Sequence, residues 1–419
     1  MMNKYQDILG RINFGLFLAV VALLPFPQVF LRYAWVLWFA AWVLEGRWLQ
    51  LSNLKAQITN SKIIIPICLF ALWYVWRLLS GIWSPDHVAW ARQMERYITF
   101  GVVVPVGLWG VNACYNWKLA AKVLIGGCVA AVFIYVGLVT ALYFRPDWVA
   151  AFNYPEWGHY PDLFHYYENI SHFKHRLFLC GVELFGAVMA WLLYRKKPAI
   201  LIPSLVVMLS VIPLTGSRQA ILTLAALIVV VVLCSLSKQY LLRYGVVIAI
   251  VGALGGWGLL SLHPRMENFD ISDVTVLRQI DYTHDVRFNI WGFALQHPKD
   301  YIAHGLGAGQ SQNYMRERYS EGHYPYYAER GYNTHNQYLE ELLELGIGGL
   351  LFFLIAWLSI PLCTKKEGQQ TALLFTTLFL FNMCTECVFG RYDGIALWAA
   401  GMVFILMQCS PYLSNSPRK

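Results

Sequence analysis

The chain has 419 residues, of which 58% are hydrophobic and only 13% charged, with a formal net charge of +8. So little charge excludes a soluble fold of this length, which would have to cover its surface with polar groups. The basic excess calls for no nucleic-acid partner, because cationic anchors along one face of a membrane account for it.

Read from the N-terminus, the pattern predicts an all-α integral membrane protein with about twelve transmembrane helices. Apolar stretches long enough to cross roughly 30 Å of hydrocarbon recur, whereas the short alternating segments of a transmembrane barrel do not. The expected spans are 14–30, 32–49, 63–80, 98–112, 120–144, 174–194, 199–214, 218–236, 241–261, 346–362, 370–386 and 393–411. The first follows Lys4 and Arg11 and reads as a retained helix, since no small-residue cleavage site follows it and further spans do. With the N-terminus inside, Arg47, Lys55 and Lys62, then Lys118, Arg195-Lys196-Lys197, Lys238, Lys365-Lys366 and Arg418-Lys419 all fall on the inner side.

This topology divides one membrane domain into helices one to nine over 1–262, a large outer loop over 263–343, and the last three helices over 344–419. The other outer connections are Ser84–Arg96, an aromatic-rich stretch from Arg145 to Lys174, and a very tight turn at Leu214–Arg218. Function should concentrate in the large loop, because long insertions in compact proteins are uncommon unless they act. Within it, 286–295 reads as a short amphipathic helix ending before Pro298. Gly305-Leu306-Gly307-Ala308-Gly309 reads as a tight turn that brings backbone close to a neighbour; no βαβ unit surrounds it to make a nucleotide site. The nine cysteines lie in or beside predicted helices and imply no disulfide framework. Cys384 and Cys387 form a C-x-x-C expected to pack within an apolar helix.

The most informative run is Asn333 to Gly346. Thr334 and Gln337 have capping-box spacing, so a helix is expected to begin at His335 and stop near Gly346, where the next span takes over. The positive end of that helix favours a neutral imidazole able to accept a proton, and the same end attracts anions. Arg218, after the tight turn, enters the edge of a span and needs a partner there. Arg287 lies on the amphipathic helix of the loop. Two fixed guanidiniums suit a diphosphate, and a histidine suits removal of a proton from an attacking hydroxyl. Supporting candidates are Arg176, Asn336 beside His335, Glu386 and Arg391 flanking the last outer turn, and Arg92 with Arg96, four apart on one helix face. Glu183, deep in a span, is expected to pair with an arginine.

Thr215-Gly216-Ser217-Arg218-Gln219-Ala220, Arg287 with Trp291 and the Gly305-Leu306-Gly307 turn, and Thr334-His335-Asn336-Gln337-Tyr338-Leu339 with Gly346 occur in an order that resembles one family. This is the family of O-antigen ligases, related lipid-linked glycan polymerases and protein O-oligosaccharyltransferases. The resemblance implies a GT-C-like membrane fold, with the large helical loop facing the periplasm from a bacterial inner membrane. It implies a metal-independent, cofactor-free, inverting glycosyltransferase that passes a glycan from undecaprenyl diphosphate to an acceptor hydroxyl, with lipid A-core or another glycan as acceptor. Arg218 and Arg287 would then hold the diphosphate and His335 would act as base. A repeat-unit polymerase of O-antigen or capsule would use the same donor and similar residues. A transporter of lipid-linked glycan is disfavoured, because no paired, interrupted inverted repeats are visible.

Overall fold

The computed structural model describes residues 4–49, 62–109, 114–145, 169–171, 173–235, 286–322 and 324–409. The expected span 241–261, residues 263–285 of the large loop, most of the 145–174 connection and the basic residues Lys55, Lys238, Arg418 and Lys419 lie outside them. Among the described residues the regular structure is helical, and eight helices are long and apolar enough to cross a membrane. The chain divides into two compact units, one drawn from Met1–Lys55, Trp109–Gly256 and Ala400–Lys419, the other from Ala56–Leu108 and Trp257–Ala399.

The first unit contains α1 (Lys4–Leu23), α2 (Gln28–Glu45), α5 (Trp117–Phe144), α6 (Arg176–Tyr194), α7 (Pro198–Thr215) and α8 (Arg218–Ser235). The first two helices correct the expected spans 14–30 and 32–49. Pro25 and Pro27 cannot donate backbone hydrogen bonds, so α1 ends at Leu23 and α2 starts directly after Pro27. The Leu24-Pro25-Phe26-Pro27 turn is as apolar as its flanks, and hydropathy alone runs straight through it. Its carbonyls are satisfied by buried Lys174, whose Nζ donates to Leu24 O at 3.1 Å and Phe26 O at 3.0 Å.

A buried polar knot ties α1 and α2 to the segment before α5. Trp38 Nε1 donates to Tyr115 Oη at 2.8 Å, and Tyr115 Oη donates to Asn13 Oδ1. Phe17 packs on both Trp38 and Tyr115. Helix α6 is deeply enclosed, with every residue from Leu177 to Ala190 buried. Glu183 lies in that stretch. Its carboxylate oxygens hydrogen-bond to nothing among the described residues, and its electrostatic neighbour is the Cys128 thiol, so the expected arginine partner is corrected.

The second unit contains α3 (Ile64–Leu79), α4 (His87–Trp109), α9 (Val286–Ala294), α10 (Ser311–Glu321), α11 (Pro325–Arg330), α12 (Gln337–Cys363), α13 (Lys366–Met383) and the first half of α14 (Tyr392–Cys409). Helix α4 starts well before the expected 98–112 span. Asp86 caps it, accepting from Val88 N at 3.0 Å and Ala89 N at 2.9 Å, and these bonds hold its carboxyl below the usual range. Two aromatic cores give the unit its shape. Trp73, Tyr97, Phe100, Phe353, Trp357 and Phe379 surround Phe389, with Phe70 and Trp398 packed on Phe100. Ile290, Phe293, Tyr301, Tyr314, Met315, Tyr319 and Tyr327 bind the short helices α9, α10 and α11 to Leu343 of α12.

The glycine turn is locked into a break in α12. At Gly346 the backbone takes φ 69° and ψ −173°, which interrupts the helix and frees the carbonyls before it. Leu306 N donates to Leu343 O at 2.8 Å, Gly307 N to Glu344 O at 3.0 Å, and Ile347 N to Ile302 O at 2.8 Å. A Cβ on Gly305 would lie 2.2 Å from Glu344 O, and its φ is +76°, so no side chain fits. Gly305→Ala is therefore expected to destabilise the protein by at least about 3 kcal/mol, combining steric overlap with a disfavoured φ. Thermal unfolding of the purified variant in detergent checks this; a melting curve matching the parent would show that the turn is not locked.

Candidate active site

The His335 segment is positioned by its own polar residues. The N-cap of α12 is Asn336, whose Oδ1 accepts from Tyr338 N at 2.9 Å and Leu339 N at 3.1 Å. This corrects the expectation that Thr334 caps a helix starting at His335. His335 instead stands just outside the helix with φ 45°, the one positive φ at a non-glycine among the described residues. Such a conformation costs about 1–3 kcal/mol and survives only where surrounding bonds enforce it. Asn333 Oδ1 accepts from His335 N at 3.1 Å, and Trp291 Nε1 donates to Thr334 O at 3.0 Å.

That backbone aims the imidazole at a carboxylate. His335 Nδ1 lies 3.3 Å from both Glu386 oxygens, with side-chain exposures of 25% and 9%. The Tyr332 ring lies 5.9 Å from the imidazole. With Nδ1–H donated to Glu386, Nε2 is the ring nitrogen left to accept a proton. The left-handed turn puts His335 ahead of the first helical turn, where Glu386 orients the imidazole through Nδ1.

The turn that carries Glu386 is stitched to the same segment. Asn336 Nδ2 donates to Cys384 O at 3.0 Å, Phe389 N donates to Gln337 Oε1 at 2.9 Å, and Tyr338 Oη donates to Leu380 O at 2.8 Å. Thr334 Oγ1 and Cys387 Sγ lie 3.0 Å apart, and burial pushes the Cys387 thiol well up, so it stays protonated. Cys384 and Cys387 lie at and beyond the end of α13, which corrects their expected place within a helix. Phe389, enclosed in its aromatic core, anchors the turn from below.

The other expected residues of this unit fall around the dyad to different degrees. Arg96 donates to Gly390 O, which brings it to the Glu386 turn. Arg391 follows on the same turn, exposed. Arg92 is exposed and acts electrostatically on Asp86, so four-residue spacing does not send both arginines to one partner. Half-buried Arg287 stands one helical turn before Trp291, on the face of α9 that reaches the His335 backbone.

Arg218 and Arg176 belong to the first unit. Gly216, with φ 57°, ends α7 in the left-handed region, and α8 begins at half-buried Arg218, so the tight turn has the expected form. Cys180, one turn into α6 after Arg176, lies 3.2 Å from Thr215 Oγ1 at the end of α7. Within this unit, Arg176 and Arg218 thus open neighbouring helices at the same end, an arrangement that attracts anions.

Beneath His335 runs a buried charge network that hydropathy reading missed. Arg77, fully buried, donates to Glu341 at 2.9 Å and Glu344 at 2.6 Å, and sits 4.9 Å from the ring centres of both Trp73 and Tyr97. Glu341 also accepts from Gln337 Nε2 at 2.8 Å and Trp73 Nε1 at 3.0 Å. Glu344 also accepts from Gln93 Nε2 at 2.8 Å and Gly309 N at 3.0 Å. Glu340 differs, for its contacts are Ser311 Oγ at 2.6 Å, Thr334 Oγ1 at 3.0 Å and Cys387 Sγ at 3.6 Å, groups that can each donate or accept. Ser311 also lies 2.9 Å from Glu344 yet has a single proton to give. Both Ser311 contacts are hydrogen bonds when Glu340 is a neutral acid donating to Ser311, which in turn donates to Glu344. The available signal was a cation inside the 63–80 span and three glutamates at helical spacing after His335, since a charge at that depth requires partners.

Residues 203–354 match the family model described as O-antigen ligase. No curated protein gives a match to the chain. The matched segment takes in Arg218, Arg287, His335 and Asn336, while Arg92, Arg96, Arg176, Glu386 and Arg391 fall outside it. Its members are glycosyltransferase-like membrane enzymes of glycan transfer. Over residues 203–354, the chain is similar to the O-antigen ligase family.

Proposed function

We propose that the protein is an inverting glycosyltransferase that moves a glycan from undecaprenyl diphosphate to an acceptor hydroxyl on the periplasmic side of a bacterial inner membrane, joining O-antigen to lipid A-core. The observation that carries this reading is the His335–Glu386 pair, in which His335 stands on a strained backbone inside the segment that matches the ligase model. In this mechanism Glu386 orients the imidazole through Nδ1–H, and Nε2 takes the proton of the acceptor hydroxyl as its oxygen attacks the anomeric carbon. The bond from that carbon to the diphosphate oxygen breaks on the opposite face, and the electron pair leaves with the diphosphate. Arg287 and Arg218 bind the diphosphate, with Arg176 in support; their charge stabilises the departing anion, so no proton donor is needed.

The test is transfer by the purified full chain in detergent, supplied with undecaprenyl-diphosphate glycan and lipid A-core. Transfer without nucleotide or membrane gradient, unaffected by a chelator, is expected. Loss of activity with EDTA would overturn the metal-independent mechanism. Elongation of the lipid-linked glycan in place of transfer to lipid A-core would assign the protein as a polymerase.

A further inference from the structure

The second unit contains a cleft of about 390 Å³ that the proposed chemistry does not use. It lies between the α3–α4 connection and the outer face of α10, and its lining includes Trp83, Asp300, His304, Asn313, Tyr314 and Glu317. Its size is in the range of small-molecule sites. The floor is aromatic and the rim is polar: Tyr314 is buried and Trp83 half-buried, whereas Asp300, His304, Asn313 and Glu317 are exposed.

Two buried donors lining the cleft lack hydrogen-bond partners among the described residues, Trp83 Nε1 and Tyr314 Oη. A buried polar group without a partner is rare in a folded protein and calls for an explanation, and a bound ligand supplies one. Burial pushes the Tyr314 phenol up to about 12, so it remains a donor across the ordinary pH range. Its ring is fixed by Tyr301, at 5.8 Å, and by the Arg318 guanidinium, at 5.2 Å.

The charge of the lining restricts the ligand. No lysine or arginine lines the cleft, while two carboxylates do. Glu317 lies 3.8 Å from Arg318, but that guanidinium is held more closely by Glu321, at 2.8 Å. Phosphate and uronate groups are therefore repelled. A pyranose fits: its C–H face packs on an indole or phenol ring, and its hydroxyls donate to carboxylates and accept from Trp N–H and Tyr O–H.

We propose that this cleft is a saccharide subsite selective for neutral or amino sugars over acidic ones, holding part of a glycan substrate away from the reacting bond. It rests on the glycan-transfer reading, and it extends the specificity of that reading to sugars the His335 site does not touch.

The experiment measures binding alone, with the full chain in detergent and tryptophan fluorescence titrated against chitotriose, maltotriose, chitosan trimer and trigalacturonate. At least one neutral or amino trisaccharide is expected to bind, with trigalacturonate at least tenfold weaker. Asp300→Asn and Glu317→Gln, on the exposed rim where folding is not at stake, are each expected to weaken binding by about tenfold. Trp83→Ala, checked for an unchanged melting curve, should abolish it, and His335→Ala should leave it intact. A panel with no binder, binding of trigalacturonate equal to the others, or rim variants that bind like the parent would each overturn the proposal. Binding that persists in a protein showing no transfer would keep the cleft and reject the glycosyltransferase reading instead.

Discussion

His335→Ala is expected to reduce glycan transfer by at least about 10²-fold, the lower range for removing a positioned general base, while the protein still inserts and melts normally. The imidazole is one-quarter exposed, and its main polar contact is Glu386, so truncation removes little packing. The partner gives a graded comparison. Glu386→Gln retains an oxygen that can accept from Nδ1–H and should keep part of the activity, whereas Glu386→Ala leaves the ring unoriented and should lose nearly as much as the histidine variant. Relief of strain adds a second readout: His335→Gly, which accepts φ 45° without penalty, should melt at or above the parent temperature and still be inactive. Initial rates in reconstituted vesicles, with melting curves for each variant, decide the matter. Parent-like transfer by a properly inserted His335→Ala protein would remove the base from the mechanism.

Arg77→Met should be the most destabilising single change of charge in the second unit. It strips the cation from two buried carboxylates, and breaking a buried pair by removing one partner costs about 3–5 kcal/mol. Glu341 and Glu344 have side-chain exposures of 0%, so neither can turn to water without opening the packing around Trp73 and Tyr97. Their other partners include Gln93 and the backbone of Gly309, and the loss should reach the glycine turn as well. The neighbouring glutamates supply the internal control. Glu341→Gln is expected to cost a large part of the Arg77 penalty, because it leaves the arginine with fewer anionic acceptors. Glu340→Gln should be better tolerated, because Glu340 faces the Ser311, Thr334 and Cys387 side chains, to which an amide can also bond. Urea or thermal unfolding of the detergent-solubilised variants separates these cases. Equal destabilisation by Glu340→Gln and Glu341→Gln would show that the Arg77 pairing does not set the difference between them.

The alignment of residues around His335 shows why the network bears on function. Thr334 donates to Glu340 or to Asn336 O, takes Trp291 on its carbonyl, and precedes the strained histidine. The buried charges thus hold the floor on which the dyad stands. Arg287 arrives on the Trp291 helix, and Arg96 on the Glu386 turn.

Much of this was legible in the sequence because membrane physics makes the code coarse. Apolar length predicts spans, so the helices Trp117–Phe144, Arg176–Tyr194, Pro198–Thr215, Arg218–Ser235 and Tyr392–Cys409 lie close to their expected ranges. A left-handed glycine predicts a turn, and the turn at Gly216 has that form. Local chemistry failed where two residues competed for one role. Thr334 and Asn336 both suit an N-cap, and the choice went to Asn336 because Thr334 is drawn inward by Glu340 and Cys387. Likewise, an apolar turn at Pro25 and Pro27 hid inside a hydrophobic run.

What the sequence determined by itself is therefore the class of molecule: a helical membrane protein with a motif-bearing loop and a histidine near the start of a helix. Tertiary structure alone decided which groups meet. Glu386 is 51 residues from His335 along the chain, and Arg77 is 267 residues from Glu344. Such pairings cannot be read from local spacing, because long-range contacts are selected by the packing of whole helices and by the need of every buried charge for a partner.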